Sequence, residues 1–192
     1  MKILEYIFLF LLVSTNSLEA TSGYNIVLKD SSSTIDGTTI GSSEVNGVSY
    51  SNGVLSMIKE GTFILSGTLN GQIKINTSGQ VTLVLNGVTI KNSNSNAILV
   101  SKAYELDSSS FNYNTAKSLD VSKSGVKIVI ADGSENTING AKSSGANGAI
   151  HSAVSMLVTG ETKGDGILNV IASNEGIETE KHFFMRDRKS VV

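Results

Sequence analysis

The 192-residue chain has no cysteine, no proline and no tryptophan, and its only arginines are Arg186 and Arg188. Without cysteine, disulfides cannot contribute to stability, which sets the chain apart from small cysteine-stapled domains. Without tryptophan there is no coplanar ring strip of the kind that grips flat crystalline glucan. Tyr24, Tyr50, Tyr104 and Tyr113 do not replace it, because they sit in the N-terminal leader or in the 101–125 insertion. Charge of one sign is scarce as well: a formal net charge of −2 leaves no electrostatic footprint for nucleic acid or an anionic membrane.

What the chain does have is an internal repeat. Between Gly61 and Glu180 an apolar run ends four times in a small or polar residue plus glycine: Phe63–Gly67, Leu83–Gly87, Ile128–Gly133 and Met156–Gly160. Each run is followed by a short β-rich piece, Thr68-Leu69, Val88–Ile90, Asn136–Ile138 and Ile167–Val170. A small or polar residue and an isoleucine then close the unit, at Gln72-Ile73, Ala97-Ile98, Ala149-Ile150 and Gly176-Ile177. Ile73 and Ile98 lie 25 residues apart, and Ile150 and Ile177 lie 27 apart. Three short strands per period without a helical pattern predict an all-β solenoid of about four coils, in which the isoleucines stack as one interior column. Gly67, Gly87, Gly133 and Gly160 read as a ladder of corner turns.

Lys2 followed by the apolar Tyr6–Val13 and then Ser14–Ala20 has the order of a signal peptide, residues 1–20, so the chain is expected to be secreted or displayed at the cell surface, free of the membrane after cleavage. Residues 21–53 read as an N-terminal edge strand, Asn25–Leu28, and a cap with turns at Asp36-Gly37 and Asn52-Gly53. The array then covers 54–184, with an insertion at 101–125 expected to bulge as a loop from one corner. The hexapeptide Asp187–Val192 matches the translation of a common DNA sequencing adapter, so the natural protein is expected to continue beyond this fragment.

The segments Gly61–Ile73 and Val81–Ile90, with Asp132–Thr137 and Gly176–Phe183 as later blocks, resemble a family of secreted carbohydrate-binding β-helix proteins found in clostridia and in gut and rumen microbes. The likeness covers about residues 53–184. It implies a right-handed parallel β-helix akin to polysaccharide lyases, binding of plant cell-wall polysaccharide including acidic pectic polymers, and bound calcium. The chain departs from the family at the 101–125 insertion and at Ser155-Met156-Leu157, where an acid often precedes the leucine.

The residues themselves constrain the chemistry. Elimination beside a uronate carboxyl needs calcium on clustered carboxylates and a strong base, and no arginine precedes Arg186. Hydrolysis needs two carboxylates flanking the scissile bond, and nothing in the spacing of Asp165, Glu175, Glu178 and Glu180 sets such a pair. A non-catalytic role is expected, with Lys74, Lys127 and Lys163 as cations facing an acidic polymer and Asp165 and Glu175 as hard ligands for calcium. Lys91 is a further lysine of the same kind, and His151 is expected to face outward between Ile150 and Ser152. Polygalacturonate is the first expected ligand and cellulose the second. The alternatives are a lyase whose active site lies in the missing C-terminal part, and a surface adhesin or structural solenoid.

Overall fold

The computed structural model describes residues 23–106 and 120–186. Its first elements are set by three dipeptides in which Asp or Asn precedes Gly. Asp36-Gly37, Asn46-Gly47 and Asn52-Gly53 hold positive φ at both positions, 47° and 79°, 53° and 80°, and 50° and 77°. Two successive left-handed residues make the tight turn whose twist suits a hairpin, and these residue types tolerate it best. Accordingly β1 (Tyr24–Leu28), β2 (Thr34–Ile35) and β3 (Thr38–Thr39) pair antiparallel in succession, and β4 (Val48–Ser51) pairs antiparallel with β5 (Val54–Met57). Residue 53, which divides cap from array in the sequence, is the second residue of the β4–β5 turn.

Beyond β5 every pairing between the described strands is parallel, and Ser143 and Ala146 form an isolated antiparallel bridge. The strands are β6 (Gly61–Asn70), β7 (Gln72–Asn76), β8 (Val81–Asn92), β9 (Ile98–Lys102), β10 (Val126–Ile130), β11 (Glu135–Gly140), β12 (Gly148–Ser152), β13 (Met156–Gly160), β14 (Ile167–Ala172), β15 (Glu175–Thr179) and β16 (Phe183–Arg186). A ten-stranded sheet has the order β16-β13-β10-β8-β6-β1-β2-β3, with β11 joined to β8 and β14 to β11. A six-stranded sheet has the order β15-β12-β9-β7-β5-β4. Strand alternation turns one set of side chains inward, such as Phe63, Leu65 and Leu69 on β6 or Val126, Ile128 and Ile130 on β10. Both sheets feed one apolar core, which also takes Ile26, Leu28 and Ile35 from the hairpins.

Leu55, Ile73, Ile98, Ile150 and Ile177 are successive register partners across β5, β7, β9, β12 and β15. The first four are fully buried, and Ile177 packs against the core from its margin. Each buried isoleucine contributes about 1.5–3 kcal/mol relative to an exposed one.

The pairing corrects the expected right-handed parallel β-helix of about four coils. Both sheets are mixed, with antiparallel hairpins joined to parallel ladders, and the strands form two sheets instead of three short strands per coil. The reason lies at two glycines read above as corners. At Gly67 (φ 88°) and Gly87 (φ 76°) the chain bends without stopping, so β6 and β8 run through both repeated pieces with a register shift between Leu65 and Gly67. The result is an all-β, two-sheet, sandwich-like arrangement. Glycine at 67 is also a matter of space, since a Cβ there would lie 2.5 Å from the Leu28 carbonyl oxygen. Asn25–Leu28 is not an edge strand either: β1 lies between β2 and β6, and β3 and β4 form the edges at that end.

The segment expected to be a signal peptide, the centre of the insertion (107–119) and the terminal hexapeptide lie outside the described residues. The described flanks of the insertion finish β9 and bury Leu106 and Val121.

Candidate functional site

The bend at Gly67 and Gly87 re-aims the second halves of β6 and β8. With β11 and β14 they make a four-stranded ribbon in the order β6-β8-β11-β14. Its inner side carries Leu69, Ile90 and Ile138, all with zero exposure. Its outer side carries two rows. Thr68, Thr89, Thr137 and Asn169 are successive register partners, and so are Asn70, Lys91, Asn139 and Ile171. Neighbours within a row sit one strand spacing apart, about 4.8 Å.

At the end of these strands a cleft of about 350 Å³ is bordered by Asn70, Gly71, Lys91, Asn92, Asn139 and the Ser93-Asn94 turn. Its walls are held in place by local hydrogen bonds. Asn92 Oδ1 accepts from the backbone N–H groups of Asn94 and Ser95, both at 3.1 Å, and so closes the turn. The backbone N–H and side-chain amide of Asn70 each donate to Asp30 at 2.6 Å. These bonds, the backbone one first, hold the Asp30 carboxyl below its ordinary pKa. Gly71 must be glycine, because a Cβ there would lie 1.9 Å from the Gly53 carbonyl oxygen.

Among the described residues, the side chains of Lys91, Asn139, Thr68, Thr89 and Thr137 make no hydrogen bond. One cation, an amide and a line of hydroxyls thus face outward with donors and acceptors to offer. Such a surface can recognise a polyhydroxylated ligand carrying negative charge.

The residues chosen from sequence are not brought together. Lys74 lies on β7 beside Leu99 in the six-stranded sheet, and Lys127 lies on β10 between Thr82 and Leu157 in the ten-stranded sheet. Lys163 is in the β13–β14 connection, where its backbone N–H donates to the Asp132 carboxylate at 3.0 and 3.1 Å. Asp165 accepts from the Gly133 N–H at 2.7 Å, and Glu161 accepts from the Asp132 N–H at 2.9 Å. These acids satisfy the backbone donors of two adjacent turns. Glu175 is exposed on β15 opposite Gly148. Calcium takes six to eight oxygens, whereas no three His or acidic groups among the described residues are grouped to hold a metal. The structure therefore does not bring Asp165 and Glu175 together.

The sequence reading passed over Asn70, Asn92, Asn139 and the threonine row, and treated Lys91 only as one lysine among several. A signal was available in the triplets Thr68-Leu69-Asn70, Thr89-Ile90-Lys91 and Thr137-Ile138-Asn139, where a hydroxyl and a long polar group flank a core residue.

His151 corrects a further expectation. It projects from β12 on the side away from Ile150 yet is only 4% exposed. Its Nδ1 is 2.7 Å from Glu178 Oε2, and its Nε2 is 3.4 Å from Glu180 Oε1. Glu178 sits opposite His151 on β15 and also accepts from the N–H groups of Asn147 and Gly148, at 2.6 and 3.3 Å. The histidine hydrogen bond, foremost among these contacts, lowers the Glu178 pKa.

Comparison with known proteins comes to the same region. A sequence-family model described as a carbohydrate-binding domain-containing protein matches residues 51–115, which take in β6 to β9 and the residues bordering the cleft other than Asn139. The fold is similar to that of the polysaccharide lyase-like protein from C. thermocellum, solved as a gadolinium derivative. The TM-score is 0.61 at 24% identity, covering 85% of this chain and 58% of that one. The chain thus spans 58% of that protein's length. No curated protein gives a significant sequence match.

Proposed function

We propose that the chain is a secreted, non-catalytic polysaccharide-binding protein, which takes an acidic pectic polymer first and cellulose second on the outer face of β6, β8, β11 and β14. The observation that carries this reading is Lys91, exposed between Asn70 and Asn139 in one register row with the threonine row alongside. The amides and hydroxyls suit sugar hydroxyls, and the cation suits a uronate carboxylate. A neutral glucan would use the same hydroxyls and amides without the charge. The description of the matching family supports carbohydrate as the ligand class. The proposal places no step on calcium, since among the described residues Asp165 and Glu175 are not grouped with further acids. The non-catalytic part of the proposal rests on the outward rows, which carry threonine, asparagine and Lys91, while Asp132, Glu161 and Asp165 accept hydrogen bonds within turns. Secretion rests on the order of residues in 1–20.

The test is retention on immobilised polygalacturonate, compared with cellulose and an uncharged matrix, with ultraviolet absorbance followed for the unsaturated product of elimination. Binding to polygalacturonate that weakens with added salt, is indifferent to a chelator and releases no unsaturated product is the expected result. Rising absorbance would make the protein a lyase, and failure to bind any of these polymers would remove carbohydrate recognition altogether.

A further inference from the structure

We infer that the polysaccharide lies across the strands of this ribbon, one sugar ring per strand, so that the four described strands hold four consecutive rings. The inference rests on the carbohydrate reading and adds the direction, length and contacts of the bound chain. Across the strands the outer surface repeats in kind: Thr68, Thr89, Thr137 and Asn169 present one small polar group per strand at about 4.8 Å. Along a strand it does not. Outward residues there recur about 6.6 Å apart, and β8 offers only Thr89 and Lys91 beyond the bend at Gly87. An extended pyranose chain advances per ring by a distance close to the strand spacing and short of the along-strand repeat.

The register also assigns each ring its neighbours. The ring over β8 meets Lys91, which makes this the position for a carboxylate. Those over β6 and β11 meet Asn70 and Asn139. The ring over β14 meets Asn169, whose amide also reaches the exposed Glu135 carboxylate at 3.5 Å, between Ile167 and Ile171, 52% and 50% exposed, an apolar rest for the CH face of a sugar. Among the described residues β14 is the last strand of the ribbon, so the described strands offer contacts to four rings.

Calorimetric titration of the full chain with galacturonate oligomers of two to six rings tests this. Affinity should climb with each ring up to four, by about tenfold overall, and then level off. Thr137→Val should flatten the climb at the third ring, whereas Lys91→Ala should weaken every length. Thr82→Val, on β8 but before the bend, should bind like the parent. Affinity independent of length, a steep rise continuing past four rings, or parent-like binding by Thr137→Val would overturn the across-strand geometry while leaving carbohydrate binding intact. Failure to bind any oligomer or the polymer would overturn both.

Discussion

Two ladders of the same spacing run through this protein, one on the inner face of the six-stranded sheet and one on the outer face of the ten-stranded sheet. The inner one, Ile73, Ile98, Ile150 and Ile177, stacks identical side chains away from water, while the outer one, Thr68, Thr89, Thr137 and Asn169, stacks small polar groups toward it. Parallel register produces both, because it places equivalent residues one strand apart whatever their chemistry. What differs is the consequence. The inner repeat stabilises through burial, and the outer repeat leaves hydrogen-bonding groups in a regular row for a regular ligand. Stability and recognition should therefore respond to different substitutions.

The largest expected effect is on the inner ladder. Ile98→Asp, which puts an unpaired charge at a position with zero exposure, should abolish folding, and Ile98→Ala should cost about 2–5 kcal/mol in chemical denaturation. A melting curve unchanged by the aspartate would break the comparison at its base. Next comes Asn136, directly beneath the outer row. Its Oδ1 accepts from the N–H groups of Gly87 and Val88 at 3.0 Å, and its amide donates to Ser134 Oγ at 2.8 Å and the Ile167 carbonyl at 3.1 Å. Asn136→Ala orphans buried donors and should cost about 1–3 kcal/mol.

A smaller effect is expected at Glu178. A carboxyl whose folded pKa lies below its ordinary value near 4.5 adds stability that is present above that value and lost as pH falls through the lowered one. The gap in melting temperature between the parent and Glu178→Gln should hold at neutral pH and close in acid; a gap that persists there would refute the ionised pairing with His151. The smallest effect on stability belongs to the outer ladder, where Thr89→Val and Thr137→Val should stay within about 0.5 kcal/mol of the parent. A loss comparable to that of Ile98→Ala would mean the outer row is structural.

The inner ladder could be aligned in the sequence because a small or polar residue before isoleucine recurs 25 residues apart at Ile73 and Ile98 and 27 apart at Ile150 and Ile177, on either side of the insertion. The joining of strands at Gly67 and Gly87 could not, since Ser-Gly and Asn-Gly suit a bend within a strand as well as a turn that ends one. The direction of His151 was legible from alternation, but its burial was not, because the residue covering it, Glu178, lies 27 positions away and meets it only through register. Asp165 looked like a ligand because carboxylates suit calcium. The nearer demand is the Gly133 N–H across the adjacent turn, which needs an acceptor of its own. Asn70, Lys91 and Asn139 went ungrouped because only pairing across β6, β8 and β11 puts them in one row.

The most direct measurement is the affinity for polygalacturonate of a variant carrying Lys91→Ala and Asn139→Ala together, taken alongside its melting temperature. The outer-face account predicts binding at least tenfold weaker, about 1.4 kcal/mol, with the melting temperature unchanged. Parent-like affinity in a variant that melts like the parent would contradict it.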